Sequence, residues 1–238
     1  MLAEILDVVW PRVCEVCGRP ADRPGRHVCS DCLNRLPFLP LTGGCRLCGR
    51  EAAGLDVEYL CEDCRGHRPA FDRAASALRM EGAAREMLNA FKFRYHYWLR
   101  DDLVDFLEAS ARSRFAVKEI DLVLAMPLTW RRLWNRGFNQ CAVLAKPLAR
   151  RLGKSCPSFV LRRKNAPKQQ SRLGEAERRA NVVNTFAVRI SRTVAGRTVL
   201  LLDDVMTTGS TLSEGAAELK RAGAARVWCL SLVRSVRP

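Results

Sequence analysis

The fold is decided by one stretch, Val199-Leu-Leu-Leu-Asp-Asp-Val-Met-Thr-Thr-Gly-Ser-Thr211. Its four consecutive apolar residues predict a strand buried on both faces, as in a parallel sheet, and two adjacent acids are expected to end it. A short loop rich in hydroxyl groups follows. Leu212 to Ala222 then predicts a helix, because its apolar residues recur at spacings of three and four. Gly223 lies where a helix-capping glycine is expected, so the stretch predicts a strand–loop–helix unit.

The loop and the helix start form a predicted phosphate site. The first N–H groups of a helix are unpaired and carry a partial positive charge, which attracts an anion, and Gly209 lets that anion approach the backbone. The carboxylates of Asp203 and Asp204 repel phosphate and are expected to bind sugar hydroxyls, a metal ion, or both. Phosphate at one end and a diol at the other describe a ribose 5-phosphate. Four side chains can donate hydroxyl hydrogen bonds to the phosphate, namely Thr207, Thr208, Ser210 and Thr211.

The whole stretch resembles the 5-phosphoribosyl-1-pyrophosphate (PRPP) binding motif of the type I phosphoribosyltransferases and matches it without a gap. In that family the two acids hold the ribose 2- and 3-hydroxyls, and the following loop holds the 5-phosphate. The resemblance implies a catalytic role for Asp203 and Asp204 and 5-phosphate binding by residues 207–211. The alternative is a strand that ends in solvated acids before a helix capped by a hydroxyl residue.

Length and charge restrict the class of protein. The 238 residues, 48% of them hydrophobic, suffice for one full domain and a small second one. The formal net charge is +15, and sixteen Lys and Arg residues against two acids fall between residues 126 and 192. This surplus predicts an anionic partner, either PRPP or nucleic acid, although a solvated basic surface has the same composition. No apolar run is long enough for a membrane span, and residues 1–10 lack the basic start of a secretory signal, so we expect a cytoplasmic protein.

Eight of the eleven cysteines form four Cys-x-x-Cys pairs. Gly-Arg follows the first and third pairs and an Asp precedes the last Cys of the second and fourth, which indicates a duplicated zinc-ribbon unit. Four thiolates surround zinc as a tetrahedron and leave no open position, so two structural ions are expected. Disulfides would need an oxidising compartment, to which nothing in the sequence points. The simplest assignment is sequential, with an interleaved one left open: Cys14, Cys17, Cys29 and Cys32 on one ion, and Cys45, Cys48, Cys61 and Cys64 on the other.

A second strand–loop–helix unit begins with a strand at residues 121–125 and continues into a helix that ends near Leu152. Arginines at the carboxyl end of such a strand can pair their donors with the oxygens of a pyrophosphate. Two segments, Pro127-Leu-Thr-Trp-Arg-Arg132 and Arg136-Gly-Phe-Asn-Gln140, resemble the ComF family of phosphoribosyltransferase-like proteins. Members of that family carry a cysteine zinc module in front of a PRPP-type domain and are linked to competence and DNA uptake.

The resemblance to the ComF family covers nearly the whole chain and implies a pyrophosphate site. Magnesium would arrive with PRPP and keep mostly oxygen ligands. Residues 162–179 are polar and basic and form either a mobile lid over the pyrophosphate or an ordinary disordered loop. Arg136 and Gln140 are equally expected to pack the loop instead of binding pyrophosphate. The implied pyrophosphate-binding residues are Pro127, Leu128, Arg131, Arg132, Arg136 and Lys168.

Aromatic and basic residues alternate from Phe91 to Trp98. Such a pattern can stack the bases of single-stranded nucleic acid, but we expect a helix that packs its rings inward and extends its basic groups outward. Among the isolated cysteines, Cys229 is expected in the core. Cys141 lies near the predicted site and is not expected to act as a nucleophile.

The sequence therefore predicts two parts, an N-terminal helix with a double zinc ribbon (residues 1–68) and an α/β phosphoribosyltransferase-like domain with a parallel sheet flanked by helices (residues 69–238). No low-complexity linker separates them, so they are expected to pack together. The leading function is PRPP binding with phosphoribosyl transfer and release of pyrophosphate, as in a pentosyltransferase. The alternative is a non-catalytic PRPP sensor or adaptor that binds single-stranded DNA or DNA-uptake proteins through the basic face and the zinc ribbons.

Overall fold

A computed structural model describes residues 12–40, 43–51, 57–164 and 185–235. The strands in these ranges are β1 (Gly44–Cys45), β2 (Glu58–Tyr59), β3 (Arg73–Arg79), β4 (Leu122–Ala125), β5 (Leu161–Arg163), β6 (Phe186–Val188), β7 (Thr198–Met206) and β8 (Arg226–Arg234). The α-helices are α1 (Ser30–Asn34), α2 (Glu62–Gly66), α3 (Gly82–Phe93), α4 (Arg100–Arg114), α5 (Trp130–Arg136), α6 (Gln140–Arg151) and α7 (Ser210–Arg221). Short 3-10 turns cover Tyr97–Leu99, Val117–Glu119 and Ser191–Thr193.

A parallel sheet of four strands, in the spatial order β3–β8–β7–β4, forms the centre of the fold. The two inner strands, β7 and β8, are almost continuously apolar because helices cover both faces of the sheet. Helices α4 and α6 contact one another and the sheet, and α7 contacts β7 and β8. The predicted α/β class with a parallel sheet is confirmed. The carboxyl ends of all four strands lie at one edge, where ligands of such sheets bind.

Strand β7 extends past the two acids. It continues to Met206 because β8 pairs with it as far as Met206 and Arg234, so the prediction that the acids end the strand is wrong. The helix that follows begins at Ser210, two residues earlier than predicted, and Gly223 adopts the left-handed conformation expected of its cap (φ +95°). Asp203 and Asp204 are therefore fixed in the sheet rather than in a loop.

A small antiparallel hairpin of β5 and β6 follows α6. Most of the predicted lid, residues 165–179, and the predicted N-terminal helix lie outside the described residues. Within the described ranges, no helix is both long enough and apolar enough to cross a membrane.

The cysteine-rich segment packs on the outer edge of the sheet, as expected. Arg79 N donates to Pro37 O at 2.8 Å, and Leu39 N donates to Ala77 O at 3.0 Å. Further along the same strand, Ala74 N donates to the carbonyl oxygen of Leu47. These bonds occupy the free edge of β3 and so prevent that edge from pairing with another chain. The domain boundary between residues 68 and 69 stays a prediction.

A buried carboxylate ties the first cysteine-rich unit to α4. Asp102 is 0% exposed, accepts a hydrogen bond from the His27 backbone N–H at 2.7 Å and pairs with Arg23 at 3.0 Å. Next to it, Asp105 pairs with Arg26 and with Arg151 of α6. Because both acids are partly or fully withdrawn from water and held by several donors, this network fixes the unit on the domain more firmly than exposed ion pairs would.

Candidate functional site

The two acids of β7 have different partners. The Asp204 carboxylate is 9% exposed and lies 2.8 Å from the ammonium group of Lys92 on α3. One oxygen of Asp203 accepts hydrogen bonds from the Asp204 backbone N–H at 2.8 Å and from the Cys141 thiol at 3.4 Å. Ligand atoms of Cys141, Asp203 and Asp204 all lie within 4.8 Å of one another. The arrangement gathers two carboxylates, one cation and one thiol at the carboxyl edge of the sheet.

The electrostatics of this cluster determine which groups are charged. Burial and the neighbouring Asp204 raise the pKa of Asp203 from 3.8 to about 6. Burial, together with the charges of both acids, raises the pKa of the Cys141 thiol well above its usual 9. Cys141 is therefore a protonated hydrogen-bond donor, in line with the expectation that it is not a nucleophile.

Lys92 is a site residue to which the sequence analysis gave no role. It is 8% exposed and lies four residues after the fully buried Leu88, on the apolar face of α3. A lysine at a core position of an amphipathic helix needs a buried partner, and this one pairs with Asp204. The position of Lys92 on the apolar face of α3, four residues after Leu88, is the feature of the sequence that could have identified it.

The loop from Thr207 to Thr211 has the geometry that the sequence predicts. Gly209 has φ +84°, and a Cβ there would lie 2.6 Å from the Met206 methyl group and 3.5 Å from the Phe71 ring. Only glycine fits without strain. The Thr208 and Ser210 hydroxyl groups are exposed and 2.8 Å apart, at the start of α7. Exposed hydroxyl donors thus lie beside the first residues of α7.

A second loop leaves the sheet beside the acids. Met126 N donates to Leu202 O at 2.8 Å, which places Pro127 and Leu128 next to the end of the apolar run of β7. Asn139 holds this loop, because its amide donates to Met126 O at 3.0 Å. The other end of the Asn139 side chain caps α6. Asn139 belongs to the Arg136–Gln140 motif, but no role was predicted for it from the sequence.

The remaining predicted pyrophosphate residues are only partly placed. Arg131 is exposed on α5, whereas Lys168 and the side chain of Arg132 lie outside what the structure describes. Arg136 lies over the Phe93 ring, 4.8 Å from its centroid, and donates to Gln140 Oε1 at 3.2 Å. Arg136 and Gln140 therefore have packing contacts, and a role in pyrophosphate binding stays a prediction.

Four rings next to this site are exposed, contrary to expectation. Phe91 is buried, but Phe93, Tyr95, Tyr97 and Trp98 are between 43% and 58% exposed, so the prediction that the rings pack inward is wrong for these four. Helix α3 ends at Phe93 and Tyr95 adopts φ +61°, which turns the chain outward. We call these four residues the aromatic surface. Trp130 and Trp134 of α5 are exposed as well.

The cysteines form two groups of four in sequential order. Within each group all four sulfurs lie within 4.8 Å of one another, and the Cys17–Cys29 and Cys48–Cys61 sulfurs are 3.8 and 3.7 Å apart. A tetrahedron with Zn–S bonds of about 2.3 Å has edges of about 3.8 Å, so both groups fit zinc. The sequential assignment is therefore supported over the interleaved one. The first group is Cys14, Cys17, Cys29 and Cys32, and the second is Cys45, Cys48, Cys61 and Cys64.

The internal repeat in the sequence corresponds to a repeated contact. In the first group the arginine after the Gly pairs with the aspartate before the last Cys, Arg19 with Asp31 at 3.0 Å. In the second group Arg50 pairs with Asp63 at 2.5 Å. The two units share this exposed arginine–aspartate ion pair, which supports their origin by duplication.

Comparison with known proteins gives two domain matches. Residues 139–236 match the model of the phosphoribosyl transferase domain, and residues 5–65 match that of the double zinc ribbon domain. With the parallel sheet and the two four-cysteine groups, these matches confirm the predicted type I phosphoribosyltransferase fold with an N-terminal double zinc ribbon.

Curated relatives align along nearly the full chain. The chain is 32% identical to the DNA utilization protein YhgH of Escherichia coli O157:H7, covering 92% of this chain and 89% of that one. It is 27% identical to competence protein F of Haemophilus influenzae, covering 87% and 90%. Among solved structures, the glutamine PRPP amidotransferase of B. subtilis superposes with a TM-score of 0.40 at 20% identity, over 56% of this chain and 25% of that one.

Proposed function

The chain belongs to the ComF family, and from that premise we propose that it binds PRPP and transfers the phosphoribosyl group with release of pyrophosphate. One observation carries the proposal, which is the acid pair of β7 followed after two residues by a solvent-facing loop and helix start. The two features suit the two ends of a ribose 5-phosphate.

The ribose binds at the acid pair in this proposal. Asp203 and Asp204 accept hydrogen bonds from the 2- and 3-hydroxyls and stabilise the positive charge that develops on the sugar as the leaving group departs. Lys92 offsets one of the two carboxylates, so the pair carries a net charge near −1 instead of −2. A less negative pair repels the phosphate and pyrophosphate groups of PRPP less.

The 5-phosphate binds at residues 207–211. The N-terminal amides of α7 and the hydroxyl groups of Thr207, Thr208, Ser210 and Thr211 supply its donors, and Gly209 leaves the backbone accessible. All four hydroxyl residues are exposed, so a phosphate can reach them without rearrangement of the core.

The pyrophosphate binds along the second loop, next to the acids. Pro127 and Leu128 present backbone groups there, while Arg131, Arg132, Arg136 and Lys168 supply positive charge to the leaving group. Magnesium, arriving with PRPP, would neutralise part of the charge of the departing pyrophosphate. Asn139 positions this loop through its bond to Met126.

We further propose a role in handling DNA in the cytoplasm. Two relatives carry the names DNA utilization protein and competence protein F. The aromatic surface and the adjoining arginines offer stacking and charge to a single strand, since any base can stack on an exposed ring. Thiolate zinc sites also favour a reducing compartment. The comparisons do not favour the alternative of a non-catalytic sensor.

Calorimetric titration with PRPP and magnesium tests the proposal. We expect saturable binding by the wild type and a Kd raised at least about tenfold, or about 1.4 kcal/mol, in Asp203→Asn. The matched control is Glu86→Gln, which removes the same charge from the exposed face of α3 and should leave the Kd unchanged. Pyrophosphate release should then appear with one member of an acceptor panel. Absence of PRPP binding by folded, zinc-loaded protein would refute the proposal.

A further inference from the structure

Arg234, the last residue of β8, is a buried cation that is only 2% exposed. Its Nη1 donates to the Cys48 carbonyl oxygen at 2.6 Å, and its Nη2 lies 3.5 Å from the Cys48 sulfur. No carboxylate in the described part of the chain forms an ion pair with it. A buried charge needs an opposite charge nearby, and the nearest candidate is the second cysteine group.

The charge of a zinc tetrathiolate fits this requirement. Four thiolates and one Zn²⁺ carry a net charge of about −2, and one guanidinium reduces it to about −1. All four cysteines of the second group are buried, whereas Cys17 of the first group is exposed to water. Water can solvate the first centre, but the second depends on a buried cation. Arg19 of the first unit also contacts the Cys17 sulfur, but its side chain is 61% exposed, so water weakens this interaction.

The same arginine also contacts the strand that precedes the phosphate loop. Arg234 pairs with Met206 across β7 and β8, and its Nη1 lies 3.8 Å from the Met206 sulfur. Ser235 N donates to Met206 O at 2.9 Å. Met206 in turn packs directly against Gly209, where an added Cβ would be 2.6 Å from its methyl group. A continuous chain of contacts thus runs from Cys48 through Arg234 and Met206 to Gly209.

A second set of contacts supports the connection. The Phe71 ring lies 3.5 Å from the position of a Gly209 Cβ. Phe71 and Met206 belong to the same buried cluster as all four cysteines of the second group. Ala70 N donates to the Ser213 hydroxyl of α7 at 2.9 Å, so the segment that leaves the second unit also touches the helix behind the loop.

We propose that Arg234 is a positioning residue, which couples the second zinc centre to the conformation of the 207–211 loop. The thiolates hold the guanidinium, the guanidinium and β8 hold Met206, and Met206 holds the loop under Gly209. Zinc at the second centre is then required for the loop to present its donors, while zinc at the first centre is not. The identity of the ligand at the loop rests on the function proposed above.

Two variants of Arg234 test the coupling. Arg234→Gln removes the charge but keeps hydrogen-bond donors, and Arg234→Lys keeps the charge but loses the forked geometry. Arg68→Gln is the matched control, because Arg68 follows the last cysteine of the same unit by four residues but is exposed. The measurements on the full chain are zinc release to a chromogenic chelator, hydrogen exchange of the amides at residues 207–211, and the Kd for PRPP.

We expect the two zinc ions to respond differently to the loss of Arg234. In Arg234→Gln the affinity for one of the two zinc ions should fall about ten- to a hundredfold, the range typical when residues that support metal ligands are replaced, and that ion should be released faster. The loop amides should exchange faster as well, and Arg234→Lys should restore part of both properties. Arg68→Gln should match the wild type. Unchanged release and loop exchange in Arg234→Gln, or equal acceleration for both ions, would overturn the proposal.

The design also separates this inference from the function on which it rests. If the wild type does not bind PRPP, the proposed function fails, but zinc release and loop exchange still report on the coupling. If PRPP binds equally well to wild type and Arg234→Gln while the loop amides are unaffected, the coupling fails and the proposed function stands.

Discussion

Replacing Asp203 by Asn should make the protein more stable and at the same time weaken PRPP binding. Burial and Asp204 raise the pKa of the Asp203 carboxyl from 3.8 to about 6, so the folded protein holds this group ionised at neutral pH against its environment. Asn is neutral and keeps an oxygen that can accept from the Asp204 N–H and the Cys141 thiol. The substitution therefore removes the unfavourable charge and keeps the contacts.

The magnitude follows from the pKa. A pKa displaced from 3.8 to about 6 corresponds to about 3 kcal/mol of unfolding free energy. Because the folded pKa is the higher one, the folded state binds more protons between these values, and wild-type stability falls as the pH rises through about 4 to 6. The advantage of Asp203→Asn should be complete at pH 8, about half as large at pH 5, and absent below about pH 3.

The neighbouring substitution should have the opposite sign. Asp204→Asn leaves the Lys92 ammonium, whose side chain is 10% exposed, without its carboxylate partner. Breaking such a buried pair from one side costs about 3–5 kcal/mol. Two adjacent, chemically identical replacements thus shift stability in opposite directions, although both weaken PRPP binding.

Urea unfolding followed by circular dichroism, with zinc present and at several pH values between 5 and 8, measures both effects. Glu86→Gln on the exposed face of α3 is the control for loss of one negative charge. A less stable Asp203→Asn protein at pH 7.5 would refute the reasoning. An advantage that does not grow between pH 5 and pH 8 would refute it as well.

Three further predictions use the same structure. Gly209→Ala should destabilise the protein more than Gly153→Ala in urea unfolding. Both glycines have positive φ, so alanine costs about 1–2 kcal/mol of backbone strain at either position. Of the two added Cβ atoms, only the one at Gly209 contacts a neighbour, the Met206 methyl. Asp102→Ala should cost about 1–3 kcal/mol in the same assay, because the Arg23 guanidinium and the His27 backbone N–H lose their buried acceptor. Iodoacetamide should label Cys141 more slowly than Cys156 in the native protein, as read by mass spectrometry, and equal native rates would contradict the buried, protonated thiol.

Features that follow one another along the chain could be predicted from sequence. The acids, the glycine and the hydroxyl residues of the 199–211 stretch act through local geometry, a strand that leads through a short loop into a helix. The zinc sites could be predicted equally well, because two ligands from one turn define half of a zinc site. Within the 199–211 stretch the structure corrects the end of β7, which β8 extends to Met206 by pairing, and the start of α7, which lies two residues earlier than predicted.

Contacts between distant segments could not be predicted in this way. Lys92 lies more than one hundred residues from its partner Asp204, and Arg234 nearly two hundred from Cys48. Both side chains are buried cations, whose partners become visible only when the sheet and the ribbons are assembled. The exposure of the aromatic surface was not predicted either, because Tyr95 adopts the left-handed conformation without being a glycine or an asparagine.

A crystal structure of the wild-type protein with PRPP and magnesium tests most directly whether PRPP binds at the acid pair and the 207–211 loop. We expect the 5-phosphate within about 3 Å of the loop at residues 207–211 and the N-terminal amides of α7. The ribose hydroxyls should meet Asp203 and Asp204, and the pyrophosphate should lie along the loop that begins at Pro127. PRPP bound elsewhere, or bound with its ribose facing away from the two acids, would contradict the account.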